Sequence, residues 1–247
     1  MNYHKREGNH GLQWFKCGWG LFKESAVTWV LIGVVFMLAA ILVSLVPLVG
    51  GALFMVAMPV LIGGYYLMAS GEKAAEISGL FTLFNDEKRR NPLLVLGGIL
   101  LVVSFIATMI LGGAIFGSAA DLVTGAEPDV EEVMAAVFSP LSLVALLLVL
   151  VVELLLAFGI VFGVGLVVFQ DAGPRDAFVH GIKAGLGNLW PLTLFGLIYL
   201  LLAILAAIPL GLGYLVLMPV TLLAGYCAYR DLFEATASPR DAGLPHD

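Results

Sequence analysis

Charge is what this sequence has least of. Asp, Glu, Lys and Arg make up only 12% of its 247 residues, whereas 61% are hydrophobic, and the mean hydropathy is +1.03. A soluble domain needs far more polar surface, so a soluble globular protein is excluded and most of the chain has lipid as its solvent. Cysteine is almost missing. Cys17 and Cys227 lie far apart with no CxxC pair, so they offer neither a metal framework nor a redox motif and read as ordinary structural residues. There is no G-x-x-x-x-G-K-[ST], H-E-x-x-H or G-x-S-x-G, and no Cys/His cluster, which removes the usual grounds for nucleotide hydrolysis or a zinc or serine hydrolase. His4 and His10 sit near a chain end and His180 stands alone; no metal and no cofactor is implied. The first eleven residues are polar and no short apolar core with a small-residue cleavage site follows, so no removable signal peptide is expected.

What is abundant is long apolar runs. A bilayer core of about 30 Å needs about 20 mostly apolar helical residues, because an open backbone cannot satisfy its own hydrogen bonds in hydrocarbon. Six stretches qualify: 26–48, 52–69, 92–116, 141–169, 190–209 and 213–229. The fold class expected is therefore all-α: a six-helix transmembrane bundle forming one integral membrane domain over residues 1–247. The first two spans and the last two are separated by only a few residues, so each pair forms a tight helical hairpin.

The basic residues give the bundle a side. Lys5, Arg6, Lys16 and Lys23 precede the first span. Lys73, Lys88, Arg89 and Arg90 lie between the second and third, Arg175 and Lys183 between the fourth and fifth, and Arg230 and Arg240 after the sixth. All twelve fall on one side of a six-span topology. The long loop on the other side carries Asp121, Glu127, Asp129, Glu131 and Glu132 instead. Cytoplasmic loops hold the excess of Lys and Arg, so both termini are expected in the cytoplasm. Nucleic acid is not an expected partner. Membrane lipids are, together with a second copy of the chain or another membrane protein.

Three segments on the basic side are amphipathic: His10–Glu24, Ala74–Phe84 and, more weakly, Asp176–Leu189. They read equally as interfacial helices or as short elbows into the spans. An internal repeat runs through the first and third of them. Lys16-Cys-Gly18-Trp-Gly20 pairs with Lys183-Ala-Gly185-Leu-Gly187, Pro47-Leu48 with Pro209-Leu210, Met58-Pro59-Val60 with Met218-Pro219-Val220, and Tyr66 with Tyr226. Both hairpins start and end on the same side, so the repeat is parallel, with an approximate two-fold axis along the membrane normal. Pro59 and Pro219 are expected to kink the second and sixth spans at equal depth, leaving the carbonyls of Met55 and Leu215 without their usual partners. Such kinks serve helix packing or line a polar cavity. Small residues at Gly97–Gly98, Gly112–Gly113, Gly159 and Gly163 suit close helix contact.

One ionisable residue lies deep in the spans. Glu153 stands near the middle of 141–169, where an ionised carboxylate costs about 2.5–3.5 kcal/mol. No intramembrane Lys, Arg or His pairs with it, so a neutral, hydrogen-bonded carboxyl is expected. Its candidate partners are Ser44, Ser104, Thr108, Thr193, Tyr199 and Thr221. A proton-carrying site is the functional version of the same placement.

The motifs Gly11-Leu-Gln-Trp14-Phe-Lys-x-Gly18-x-x-Leu21-Phe22, Leu45-Val-Pro47-Leu-Val-Gly50, Met58-Pro59, Leu217-Met-Pro219 and Tyr229-Arg230-Asp231-Leu-Phe233 resemble an uncharacterised family of bacterial multi-pass inner-membrane proteins. The resemblance runs from about Gly11 to Phe233 and implies a bacterial inner-membrane location and an all-helical bundle. It carries no catalytic or ligand residues. The function expected is non-enzymatic: an accessory or scaffold protein, or one acting in envelope and lipid homeostasis. A small transporter or channel using Glu153, Pro59 and Pro219 is the alternative, and an intramembrane enzyme the third reading.

Overall fold

The computed structural model describes residues 2–47, 49–116 and 130–234. The acidic residues Asp121, Glu127 and Asp129, as well as Arg240, lie outside the described residues, as does the side chain of Ser44. Among the described residues every regular element is helical, and six helices are long and apolar enough to cross a membrane. In chain order the elements are α1 (His10–Glu24), α2 (Ala26–Ser44), α3 (Gly50–Ala69), a short 3-10 helix η1 (Ile77–Asn85), α4 (Glu87–Phe116), α5 (Val130–Val137), α6 (Pro140–Gln170), α7 (Pro174–Gly187), α8 (Leu189–Ala207) and α9 (Tyr214–Phe233). The spans are α2, α3, α4, α6, α8 and α9.

Each amphipathic segment is a helix in its own right, and each ends one residue before a span. Ser25 separates α1 from α2, Asp86 separates η1 from α4, and Asn188 separates α7 from α8. A polar residue at each joint suits a helix start, where backbone N–H groups lack partners. Asp86 does this directly, its Oδ1 accepting from the backbone N–H groups of Lys88 at 3.1 Å and Arg89 at 3.3 Å. The chain thus consists of three successive modules, each a short helix followed by a pair of spans.

Two compact units contain the described residues. The larger comprises residues 1–98 and 158–247, the smaller 99–157. In the larger unit, burial separates inner from outer helices. α3 and α9 bury 56% and 61% of their spans, α8 only 11%, and α6 is buried almost throughout from Phe158 to Val168. The inner helices meet through aromatic rings and small residues. Tyr66 of α3 contacts Tyr226 of α9 at 5.7 Å, and Phe169 of α6 stacks on Tyr229 at 5.6 Å. Tyr66 Oη donates to the Val161 carbonyl at 3.2 Å. Ring pairs and close backbone approach replace the hydrophobic effect here, because lipid tails are as apolar as the side chains.

Packing in this unit follows a cyclic order. Each short helix lies on the inner helix of the preceding module, and the first lies on the last: η1 on α3, α7 on α6 and α1 on α9. A Cβ placed on Gly64 would meet the Leu80 carbonyl oxygen at 2.5 Å, one on Gly181 the Phe158 carbonyl oxygen at 2.9 Å, and one on Gly18 the Ala224 nitrogen at 2.6 Å. The repeat seen in the first and last modules therefore extends in plan to the middle one. The two-fold axis expected from sequence does not describe this packing. α1 lies on α9, whereas its counterpart α7 lies on α6, because η1 already occupies α3 at Gly64, the position that matches Ala224 of α9 in the repeat.

Pro59 and Pro219 lie inside α3 and α9 and are buried. A glycine of an outer helix sits near each proline. Gly33 of α2 approaches Pro219 and the Leu215 carbonyl, and Gly97 of α4 abuts the backbone of Val56. Gly159 and Gly163 receive α7, at Phe178 and Ala177, whereas Gly98, Gly112 and Gly113 face open space.

The smaller unit contains the far halves of α4 and α6 together with α5. Ser142, 2% exposed, ties the three together. Its hydroxyl lies 2.7 Å from the Ala136 carbonyl oxygen of α5 and 3.2 Å from that of Ala114 on α4.

Candidate functional site

Of the polar residues expected around Glu153 whose side chains are described, the structure brings one to it. Ser104 Oγ on α4 donates to Glu153 Oε2 on α6 at 3.2 Å, within the smaller unit. Thr108 is exposed and donates instead to the Ser104 carbonyl at 2.8 Å. Thr193 and Thr221 do likewise, to Leu189 and Leu217 of their own helices. A threonine in a helix reaches the carbonyl four residues back without leaving its own backbone, so these three hydroxyls are satisfied locally. Tyr199 is 39% exposed on α8, in the larger unit. Gln presents Ser104 with the same acceptor, so Glu153→Gln is expected to cost less than about 0.5 kcal/mol, while Glu153→Leu, which leaves the hydroxyl without it, costs about 1 kcal/mol. Denaturation of the purified variants measures both.

A second constellation lies where the cyclic order closes, at the seam of α1 and α9 on the basic side. Asp231, its side chain only 11% exposed, is its centre. Oδ2 accepts from Trp14 Nε1 at 2.9 Å and lies 2.8 Å from His10 Nδ1. An ionised carboxylate only accepts, so the hydrogen in that contact belongs to His10. Arg6 Nε pairs with Oδ1 at 3.0 Å, and Arg6 Nη2 donates to the Asp231 carbonyl at 2.8 Å. Asn188, 1% exposed at the start of α8, accepts the backbone N–H of Arg6 at 2.8 Å and donates to the carbonyls of His4 and Ala184. His4 N–H reaches the Leu232 carbonyl at 2.9 Å. The polar N-terminus is thus pinned across α8 and α9, not left at a free end.

Cys17 of α1 and Cys227 of α9 form a disulfide across the same seam, with Cα atoms 6.3 Å apart. The sequence reads the two as ordinary structural residues and does not pair them. Their separation of 210 residues carries no signal of contact, since only the cyclic closure of the first helix on the last brings them together. No three His, Cys, Asp or Glu residues gather as metal ligands among the described residues.

Two cavities flank α1. One is an apolar groove of about 560 Å³ between α1, α8 and α9, walled by Phe15, Trp19, Ile198, Leu202, Val216 and Val220; Lys16 is the one charged residue in its lining. The other, about 390 Å³, is polar and bordered by Cys17, Glu24, Ser25, Ser70 and Arg230.

A protein of Burkholderia thailandensis named as a probable inner membrane protein is 27% identical to this chain, across 95% of the chain and 93% of its own length. The chain is a multi-pass inner-membrane protein. No protein-family description matches it, nor does any solved structure. The resemblance drawn from the sequence motifs, to uncharacterised bacterial inner-membrane proteins, agrees with this relative.

Proposed function

We propose that this inner-membrane protein is non-enzymatic and acts in envelope and lipid homeostasis by holding an anionic phospholipid. The observation that carries this reading is the groove between α1, α8 and α9. Its lining begins at Lys16 and Val220 and continues along α9 through Val216 to Gly213, and along α8 from Ile198 to Ala206. That path suits one acyl chain running away from the basic face. Lys16 then meets the lipid phosphate, and Trp19, 46% exposed, sits where amphipathic rings favour the headgroup level.

Native mass spectrometry of the protein in native-lipid particles tests this. A retained anionic phospholipid is expected on the wild type. Loss of one basic residue near the headgroups is worth about 1 kcal/mol, so Lys16→Gln lowers retention about fivefold, and Val216→Trp removes it by filling the groove. Equal lipid on all three proteins overturns the reading. The alternative, transport through a mid-membrane site, has the Ser104–Glu153 contact as its support. It requires a proton-dependent flux in proteoliposomes that Glu153→Gln abolishes.

A further inference from the structure

The Cys17–Cys227 disulfide stands on the side of the bundle that holds the described basic residues. Cys17 lies between Lys16 and the start of α2, and Cys227 three residues before Arg230. With the basic face in the cytoplasm, as the Lys and Arg distribution requires, the bond faces a compartment that keeps thiols reduced. A persistent structural disulfide does not belong there; a reversible one does.

Two further observations bear on reversibility. Cys17 borders the polar cavity of about 390 Å³, whose rim includes Glu24, Ser25, Ser70 and Gly71 from chain joints on the basic side. The bond is thus approached from that cavity although both cysteines are less than a tenth exposed. Arg230, ion-paired with Glu234 at 3.5 Å, and Glu24 both line the cavity. In addition, the Asp231 hydrogen bonds and the fit of Gly18 against Ala224 join α1 to α9 apart from the bond, so both thiols are expected to stay close for re-oxidation when it opens.

We propose that Cys17 and Cys227 form a reversible thiol–disulfide exchange site that takes a low-molecular-weight thiol through this cavity. The thiolate of that small molecule attacks Cys17 Sγ, forming a mixed disulfide and releasing the Cys227 thiolate. A second thiol molecule attacks the mixed disulfide, releasing the small-molecule disulfide and the Cys17 thiolate. Two electrons pass to the protein, and two protons complete the two thiols. The reverse sequence latches α1 to α9 again. This site is independent of lipid in the groove, and its test reads thiols alone.

The full-length protein, purified without reductant in native-lipid particles, is treated with reduced glutathione and quenched with a maleimide that adds mass to each free thiol. No labelling is expected before treatment. Double labelling with unchanged helicity is expected after it, and its loss on adding oxidised glutathione. Gly20 lines the cavity and a Cβ there meets nothing within 4 Å, so Gly20→Phe places its ring in the cavity and is expected to slow exchange with glutathione at least tenfold. The proposal is overturned if the bond resists glutathione until the protein unfolds, or if the thiols are free as purified and do not re-oxidise. It is equally overturned if Gly20→Phe leaves the rate unchanged.

Discussion

Asp231→Ala is expected to destabilise the protein by about 3–5 kcal/mol, the range found when one partner of a buried ion pair is removed and the other is left behind. The size follows from how many groups converge on this carboxylate. Arg6, His10 and Trp14 all direct polar atoms at its two oxygens, and the side chain is 11% exposed, so water does not readily replace it. The Arg6 guanidinium is 26% exposed, which places the expected loss toward the lower end of the range. Asp231→Asn keeps an acceptor for Trp14 or His10 but removes the charge that Arg6 answers, so it should fall between the wild type and the alanine variant. Denaturant titration of the purified protein, followed by tryptophan fluorescence, reads both. Trp14 itself reports on the site, since it is 1% exposed and loses its acceptor in the alanine variant. An Asp231→Ala protein as stable as the wild type would show that the N-terminal segment is not held by this network.

The spans were legible because they are written in composition. A run of about 20 apolar residues means the same thing whatever its neighbours are, and the six expected spans differ from the six helices observed only at their ends. The repeat between the first and last modules was legible through Pro59 and Pro219 and through the paired glycines Gly18 and Gly185. The middle module escaped notice since its inner helix α6 has no proline matching them. Its plan is carried by Gly159, Gly163 and Gly181, which follow the packing order and no shared motif. The seam was not legible at all. Arg6, His10 and Trp14 are more than 215 residues from Asp231, and a single sequence holds no trace of such contacts. Cys17 and Cys227 were hidden for the same reason. Glu153 shows the converse. Its unusual placement was evident from hydropathy, yet of its expected partners among the described residues only Ser104 is seen to reach it, because a threonine in a helix spends its hydroxyl on its own backbone.

Closure of the cyclic order at α1 and α9 rests on shape as well as charge, and Gly18 and Gly20 of α1 separate the contributions. Gly18→Ala is expected to destabilise the protein by about 1–3 kcal/mol, the usual cost of forcing extra volume into a packed contact. The new Cβ would lie 2.6 Å from the Ala224 nitrogen and 2.8 Å from the Val220 carbonyl oxygen. Both are backbone atoms of a helix, so relief requires α1 to lift from α9 and not merely a side chain to turn. Gly20→Ala, two residues along the same helix, meets nothing within 4 Å. There the only change is the intrinsic preference of alanine over glycine inside a helix, which is stabilising by up to about 1 kcal/mol. Opposite signs are therefore expected from the same substitution at neighbouring positions, measured in one denaturation series. A helix that merely rested on the membrane surface would gain stability from both. A loss confined to Gly18 requires close backbone contact between the first helix and the last, the contact that also brings Cys17 to Cys227 and Trp14 to Asp231.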